Sequence, residues 1–130
     1  MSLYWDCKKS GCYKEMLPDW GCLAGLLPRG CVPTDADGIV EIGGNILQLE
    51  FKSPAGKVKM AQDILFTKIT RFKYIDKTIT VMVLWGKTVE TLTHIRVYKD
   101  GKVLRDSPCS FKEFAEIYSA WGKENPHGGG

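Results

Sequence analysis

Three residues near the middle of the chain are spaced so that they can act together: Asp37, Glu50 and Lys52. They lie in the stretches Pro33-Thr34-Asp35-Ala36-Asp37-Gly38-Ile39-Val40-Glu41-Ile42 and Leu47-Gln48-Leu49-Glu50-Phe51-Lys52, with Gly43-Gly44 between. Side chains alternate along a strand, so Glu50 and Lys52 share one face, while Leu47, Leu49 and Phe51 point the other way into a core. A two-residue turn at Gly43-Gly44 pairs Ile42 with Asn45. Counting back along that register sets Asp37 opposite Glu50 and Asp35 opposite Lys52; another turn type slides it by a position or two. Either way, the acidic residues and the lysine meet at one end of a hairpin.

Neighbouring carboxylates repel unless a cation neutralises them, so the pair suits a hard divalent ion such as Mg2+ or Mn2+. That ion can hold a phosphate oxygen and stabilise charge building at phosphorus. A lysine beside it can orient the attacking water or stabilise the transition state. Asp, Glu and Lys on adjacent strand ends are a minimal kit for phosphodiester hydrolysis.

These residues need elements to hold them. Ile39–Ile42 and Asn45–Lys52 read as the strands of the hairpin, followed by the loop Ser53-Pro54-Ala55-Gly56. A helix is expected over 57–72, with Val58, Ala61, Leu65, Ile69 and Phe72 as its apolar stripe. Gln62 lies beside that stripe, where a polar side chain needs a partner. Thr78–Trp85 reads as a strand buried on both faces. Thr91–Lys99 is another strand, and Asp100-Gly101 turns into a last one over Lys102–Arg105. Ser110 and Glu113 form a capping box for a closing helix over Phe111–Trp121.

The run ILQLEFKSPAGKVKMAQ, with Asp37 twelve residues before Glu50-Phe51-Lys52, resembles the PD-(D/E)XK nucleases. It looks particularly like the small stand-alone VRR-NUC members and the archaeal Holliday-junction resolvases, in which a Glu-x-Lys strand leads through a short Gly- or Pro-containing loop into a helix bearing a Gln. Phe66, one turn after Gln62, resembles the Gln-x-x-x-Tyr/Phe pattern of some relatives. The resemblance covers roughly residues 33–85. It implies an α/β fold with a restriction-endonuclease-like core, a central mixed sheet of four to six strands flanked by helices. It further implies a metal-dependent nuclease acting on DNA, with branched DNA as one substrate class. Asp37, Glu50 and the backbone carbonyl of Phe51 would be metal ligands, Lys52 the catalytic lysine and Gln62 a supporting residue. Lys57 and Lys59 would meet the DNA backbone. Two departures stand out. The family's Pro-Asp is here spread over Pro33-Thr34-Asp35-Ala36-Asp37, so either Asp35 or Asp37 can be the ligand, with Asp37 nearer the strand. The Glu often found on the family's first helix has only Glu15 as a counterpart.

The 130 residues fit one domain with a segment at 1–33 rich in Gly, Pro and aromatics, where Lys14–Leu17 and Leu23–Leu27 could form short helices, and a flexible tail at 126–130. With 18 basic and 15 acidic residues the net charge is +3, compatible with a DNA partner but too mild to demand one. No apolar run is long enough to span a membrane and no secretory leader is seen, so an intracellular protein is expected. A homodimer is expected too, since so short a chain offers little surface to grip a duplex, and the compact format would suit a phage or mobile element. Cys7, Cys12, Cys22, Cys31 and Cys109 are an odd five without a tight C-x-x-C knuckle, which favours thiols over a zinc site. His94 has no ligand-type partner at close spacing and reads as an ordinary strand histidine; His127 lies in the tail. Two other readings stay open: a catalytically inactive binding module of the same fold, and a zinc-stabilised interaction domain organised by the first four cysteines.

Overall fold

The computed structural model describes Cys22, Gly25, Leu26 and residues 36–124. The chain divides into units 1–35 and 36–130, and the strands and helices named here all lie in the second. The expectations placed on Lys14–Leu17, Glu15, Asp35, Cys7, Cys12, Cys31 and the tail with His127 lie outside the described residues, as does Leu23–Leu27 apart from Gly25 and Leu26.

Strands β1 (Gly38–Ile42) and β2 (Asn45–Lys52) form an antiparallel hairpin in the expected register, Ile42 opposite Asn45 and Gly38 opposite Leu49. Gly43 and Gly44 turn the chain with φ of 57° and 90°, a left-handed pair that residues with a Cβ adopt at a cost. Helix α1 (Met60–Ile69) then carries the chain across one face. The short β3 (Lys73–Tyr74) turns into β4 (Lys77–Trp85), which lies parallel to β2 with Glu50 beside Val83 and Lys52 beside Trp85. A 3-10 turn at Val89–Thr91 leads to β5 (His94–Lys99), then β6 (Lys102–Pro108) and helix α2 (Phe111–Glu124). The fold is α/β: the strand order is β1-β2-β4-β5-β6, with β3 attached to the start of β4.

The apolar side chains sort into two layers. On the α2 side, Leu47, Met82, Leu84, Ile95 and Val97 meet Phe114 and Trp121, with Leu49, Phe51 and Ile117 packed around them. On the α1 side, Val81, Val83, Trp85 and Tyr98 meet Phe66, with Val58, Leu65 and Ile69 at the margin. β4 sits between both layers and is buried from Thr80 to Trp85, as its unbroken apolar run requires.

Several element boundaries differ from the sequence reading. α1 is shorter than 57–72. Lys59 is extended and supplies no side-chain cap, while the Thr70 hydroxyl donates to the carbonyl of Phe66 and helps close the last turn. Its buried residue is Phe66; Ala61 is exposed, and Phe72, beyond the helix end, is 66% exposed. Thr91–Thr93 is not strand, because Thr88 and Thr91 cap each other in a tight 3-10 turn. β6 runs on past Arg105 to Pro108, with a register shift at Val97/Tyr98. The capping box of α2 forms as expected: Glu113 N–H donates to Ser110 Oγ, and Ser110 N–H reaches Glu113 Oε1. No described helix is long and apolar enough to cross a membrane.

Candidate active site

The open end of the hairpin is closed by two carboxylates. Past the last ladder pair, Asp37 N–H donates to Glu50 Oε2 at 3.0 Å, and Phe51 N–H donates to Asp37 Oδ2 at 2.7 Å. Asp37 therefore stands opposite Glu50, where the two-glycine turn placed it. Asp37 is exposed, whereas Glu50 is only 5% exposed. A carboxylate this buried is kept only where charge or hydrogen bonding compensates it.

Lys52 follows two residues later on the same face, half-buried. The polypeptide around it is tightly held. Gly86 N–H donates to the Lys52 carbonyl at 3.1 Å, Gly56 N–H donates to the Ser53 carbonyl at 2.9 Å, and the Trp85 indole N–H donates to the Gly56 carbonyl at 2.7 Å. The exit loop thus folds back over Lys52, and a Cβ at Gly56 would lie 3.2 Å from Lys52 Cβ. Leu49 and Phe51 pack on the opposite, α2 side, as the alternation demanded.

Gln62 is on α1, the helix that covers this same face, and its Oε1 is buried without a hydrogen-bond partner. The polar need read from its position beside the stripe is thus present in the fold. Lys57 and Lys59 are exposed on the extended segment before α1 rather than in its first turn.

The sheet brings further polar residues to this face that sequence reasoning missed. In cross-strand register, Glu50, Val83, Arg96 and Asp106 form one row, and Lys52, Trp85 and His94 the next. His94 Nε2 lies 2.6 Å from Asp106 Oδ1, and Arg96 Nη2 lies 3.1 Å from Asp106 Oδ2. Burial alone would raise the Asp106 pKa, but the hydrogen bonds from His94 and Arg96 outweigh it and hold the carboxyl below its usual range. At neutral pH it is therefore ionised. Burial opposes the Arg96 charge too, and hydrogen bonds with Tyr98 and Asp106 overcome it. Arg96 Nη1 donates to the Tyr98 hydroxyl, which donates in turn to Asp63 of α1 at 2.5 Å. The Arg96 guanidinium sits 5.6 Å from the centre of the Trp85 ring, and His94 meets that ring edge-on at 5.3 Å. His94 is thus no ordinary strand histidine: it is one corner of a charged network. The clue available from sequence was His94-x-Arg96-x-Tyr98, three polar or ring-bearing residues at strand spacing with Ile95 and Val97 between them.

Among the described residues no group of three or more Asp, Glu, His or Cys gathers around one point. Two carboxylates and a nearby main-chain carbonyl nevertheless match what Mg2+ takes from a protein, since it keeps several waters and binds through one or two carboxylates plus substrate phosphate. One oxygen of each carboxylate accepts a backbone N–H. Of the cysteines, Cys22 is exposed and Cys109 is buried, where burial raises its thiol pKa. Comparison with protein-family models, with curated proteins and with solved structures returned no match for this chain.

Proposed function

We propose that this chain hydrolyses phosphodiester bonds in DNA with the help of Mg2+ or Mn2+, as a nuclease of the PD-(D/E)XK type. The observation that carries the reading is the pairing of Asp37 with a buried Glu50 across the hairpin end, with Lys52 two residues on along the same face. Asp37, Glu50 and the Phe51 carbonyl would hold the cation, which when bound would neutralise phosphate and stabilise charge developing on it. Lys52, fixed by the exit loop and by Gly86, orients the attacking water and stabilises the negative charge of the transition state. Gln62 offers its buried, unpartnered Oε1 to that water or to the nucleic acid. Lys57 and Lys59 contact backbone phosphates.

In this reading β1, β2, α1 and β4 make up a restriction-endonuclease-like core, and β5, β6 and α2 extend it. A homodimer would supply the grip on a duplex or a branched junction that one small domain lacks.

One observation favours a second reading. Because each carboxylate already accepts a backbone N–H, the pair also works as a structural clasp, and the chain could then be a binding module without catalysis. A gel assay on single-stranded, duplex and four-way-junction DNA, with Mg2+, Mn2+ or EDTA, separates the two. Cutting that needs metal supports the nuclease, and the best substrate names its class. Binding without cutting under any of these conditions would give the module.

A further inference from the structure

A cavity of about 450 Å³ opens between the exit loop and strands β4 to β6. Its wall includes Gly56, Lys57, Trp85, His94, Arg96 and Asp106. We propose that this cavity is a subsite for a phosphate group of the nucleic-acid strand, one that flanks the phosphate being cut. The inference rests on the nuclease reading for the identity of its ligand.

Three features point to an anion that belongs to a larger, partly apolar molecule. Lys57 and Arg96 bring two cations, against the single carboxylate of Asp106. Asp106 is bound to His94 and Arg96, so its charge is spent on orienting those two side chains. Trp85, only 8% exposed, and Val58 provide an apolar wall of the kind that accepts a sugar or base edge. Arg96 adds a planar guanidinium, the geometry suited to phosphate oxygens.

Register sets the separation from the acidic pair. Arg96 lies two strands from Glu50, and His94 two strands from Lys52, which is about 10 Å of sheet. That is too far for His94 to protonate the leaving oxygen at Lys52. It is a separation that adjoining phosphates of one strand can span. The cations therefore sit where the next part of a strand passes after leaving the hairpin end, with Lys57 of the exit loop between.

The test reads binding, not cutting. The Trp85 indole N–H and the His94 ring signals are followed by NMR on the full chain in EDTA. Inorganic phosphate, a deoxynucleoside monophosphate and a short single-stranded oligonucleotide are added in turn. Saturable shifts of both signals with the oligonucleotide are expected. Affinity should weaken by about five- to thirtyfold in Lys57→Ala and in Arg96→Lys, the sizes of one lost charge-assisted contact. Glu50→Gln should leave these shifts in place. Arg96→Lys keeps the charge over Trp85, and Lys57 is exposed, so neither result depends on a variant that cannot fold. Shifts with inorganic phosphate as well would locate recognition in the phosphate alone; shifts with the nucleotides only would add the sugar or base. No saturable shift with any of the three, or equal affinity in both variants, overturns the subsite. DNA cutting by a chain whose signals do not move removes the subsite alone. Moving signals without cutting remove the nuclease reading and leave the phosphate site.

Discussion

The two faces of the sheet are drawn from the same strands and have diverged in character. On the α2 side the inward positions are mostly apolar: Leu47, Met82, Leu84, Ile95, Val97, Phe114 and Trp121 form one layer, with the buried Asn45 and Thr80 at one end of it. On the α1 side the layer is apolar only around Phe66, Val81, Val83 and Tyr98. Toward the ends of β2 and β4 it gives way to Glu50, Lys52, His94, Arg96 and Asp106. Residues one step apart on β2, such as Leu49 and Glu50, belong to opposite regimes. A polar row on a buried face lowers stability unless its members satisfy one another, and here the row of linked charged residues lies at one end of one face, the end of the candidate site.

Substitutions can break this division directly. The largest loss of stability should come from the α2 side: Leu84→Ala or Ile95→Ala should cost about 2–5 kcal/mol in urea denaturation. Neither residue touches the polar row, so a folded variant should keep whatever DNA binding the wild type has. Next comes Gly86, at the turn that holds the Lys52 carbonyl. A Cβ there would lie 2.7 Å from Leu92 Cα, a backbone collision, so Gly86→Ala should cost about 1–3 kcal/mol and disturb the exit loop as well. On the α1 side, Tyr98→Phe removes the hydrogen bond to Asp63 and should cost about 0.5–1.5 kcal/mol at neutral pH.

The pH dependence of the two titrating members of the network differs in sign. Burial, then the bond to Asp63, raise the Tyr98 pKa above 10.0. A raised folded value adds stability that is complete below the unfolded pKa and is lost as pH climbs through the folded one. Wild-type stability should therefore fall above pH 10, and less steeply in Tyr98→Phe. Asp106 is lowered below 3.8 in the fold, so its contribution is present above that value and disappears as pH falls through the folded one. Asp106→Asn should flatten the acid limb of the stability curve. The effect should be the smallest of the set, because the carboxylate is 41% exposed and partly screened by water.

The hairpin was legible in the sequence because its information is local. Gly43-Gly44 imposes the turn, the turn imposes the register, and the register places Asp37 against Glu50. The buried course of β4 and the capping box at Ser110 and Glu113 were legible for the same reason. The ends of α1 were not, since Lys57 and Lys59 are good helix formers and Val58 continues the apolar stripe, yet the structure uses the three as an extended lead-in. The His94–Arg96–Asp106 network was hidden because it depends on pairing β5 with β6 across a register shift, and Asp106 lies beyond the point where β6 was expected to stop. Gln62 is intermediate: its need for a partner could be read from the helical spacing, while its burial required the sheet beneath it.

The most direct measurement of the central claim is the single-turnover rate of DNA cleavage in Mg2+ by the wild type and by Lys52→Ala, with thermal melting of both. Lys52 is half-buried and holds Gly86 through its main-chain carbonyl, which Lys52→Ala keeps, so the melting temperatures should agree within a few degrees. The rate should fall by about 10²–10³-fold, the loss expected when one stabiliser of the transition-state charge is removed. An equal rate in Lys52→Ala and wild type would contradict the account, and would leave the hairpin end as a structural clasp.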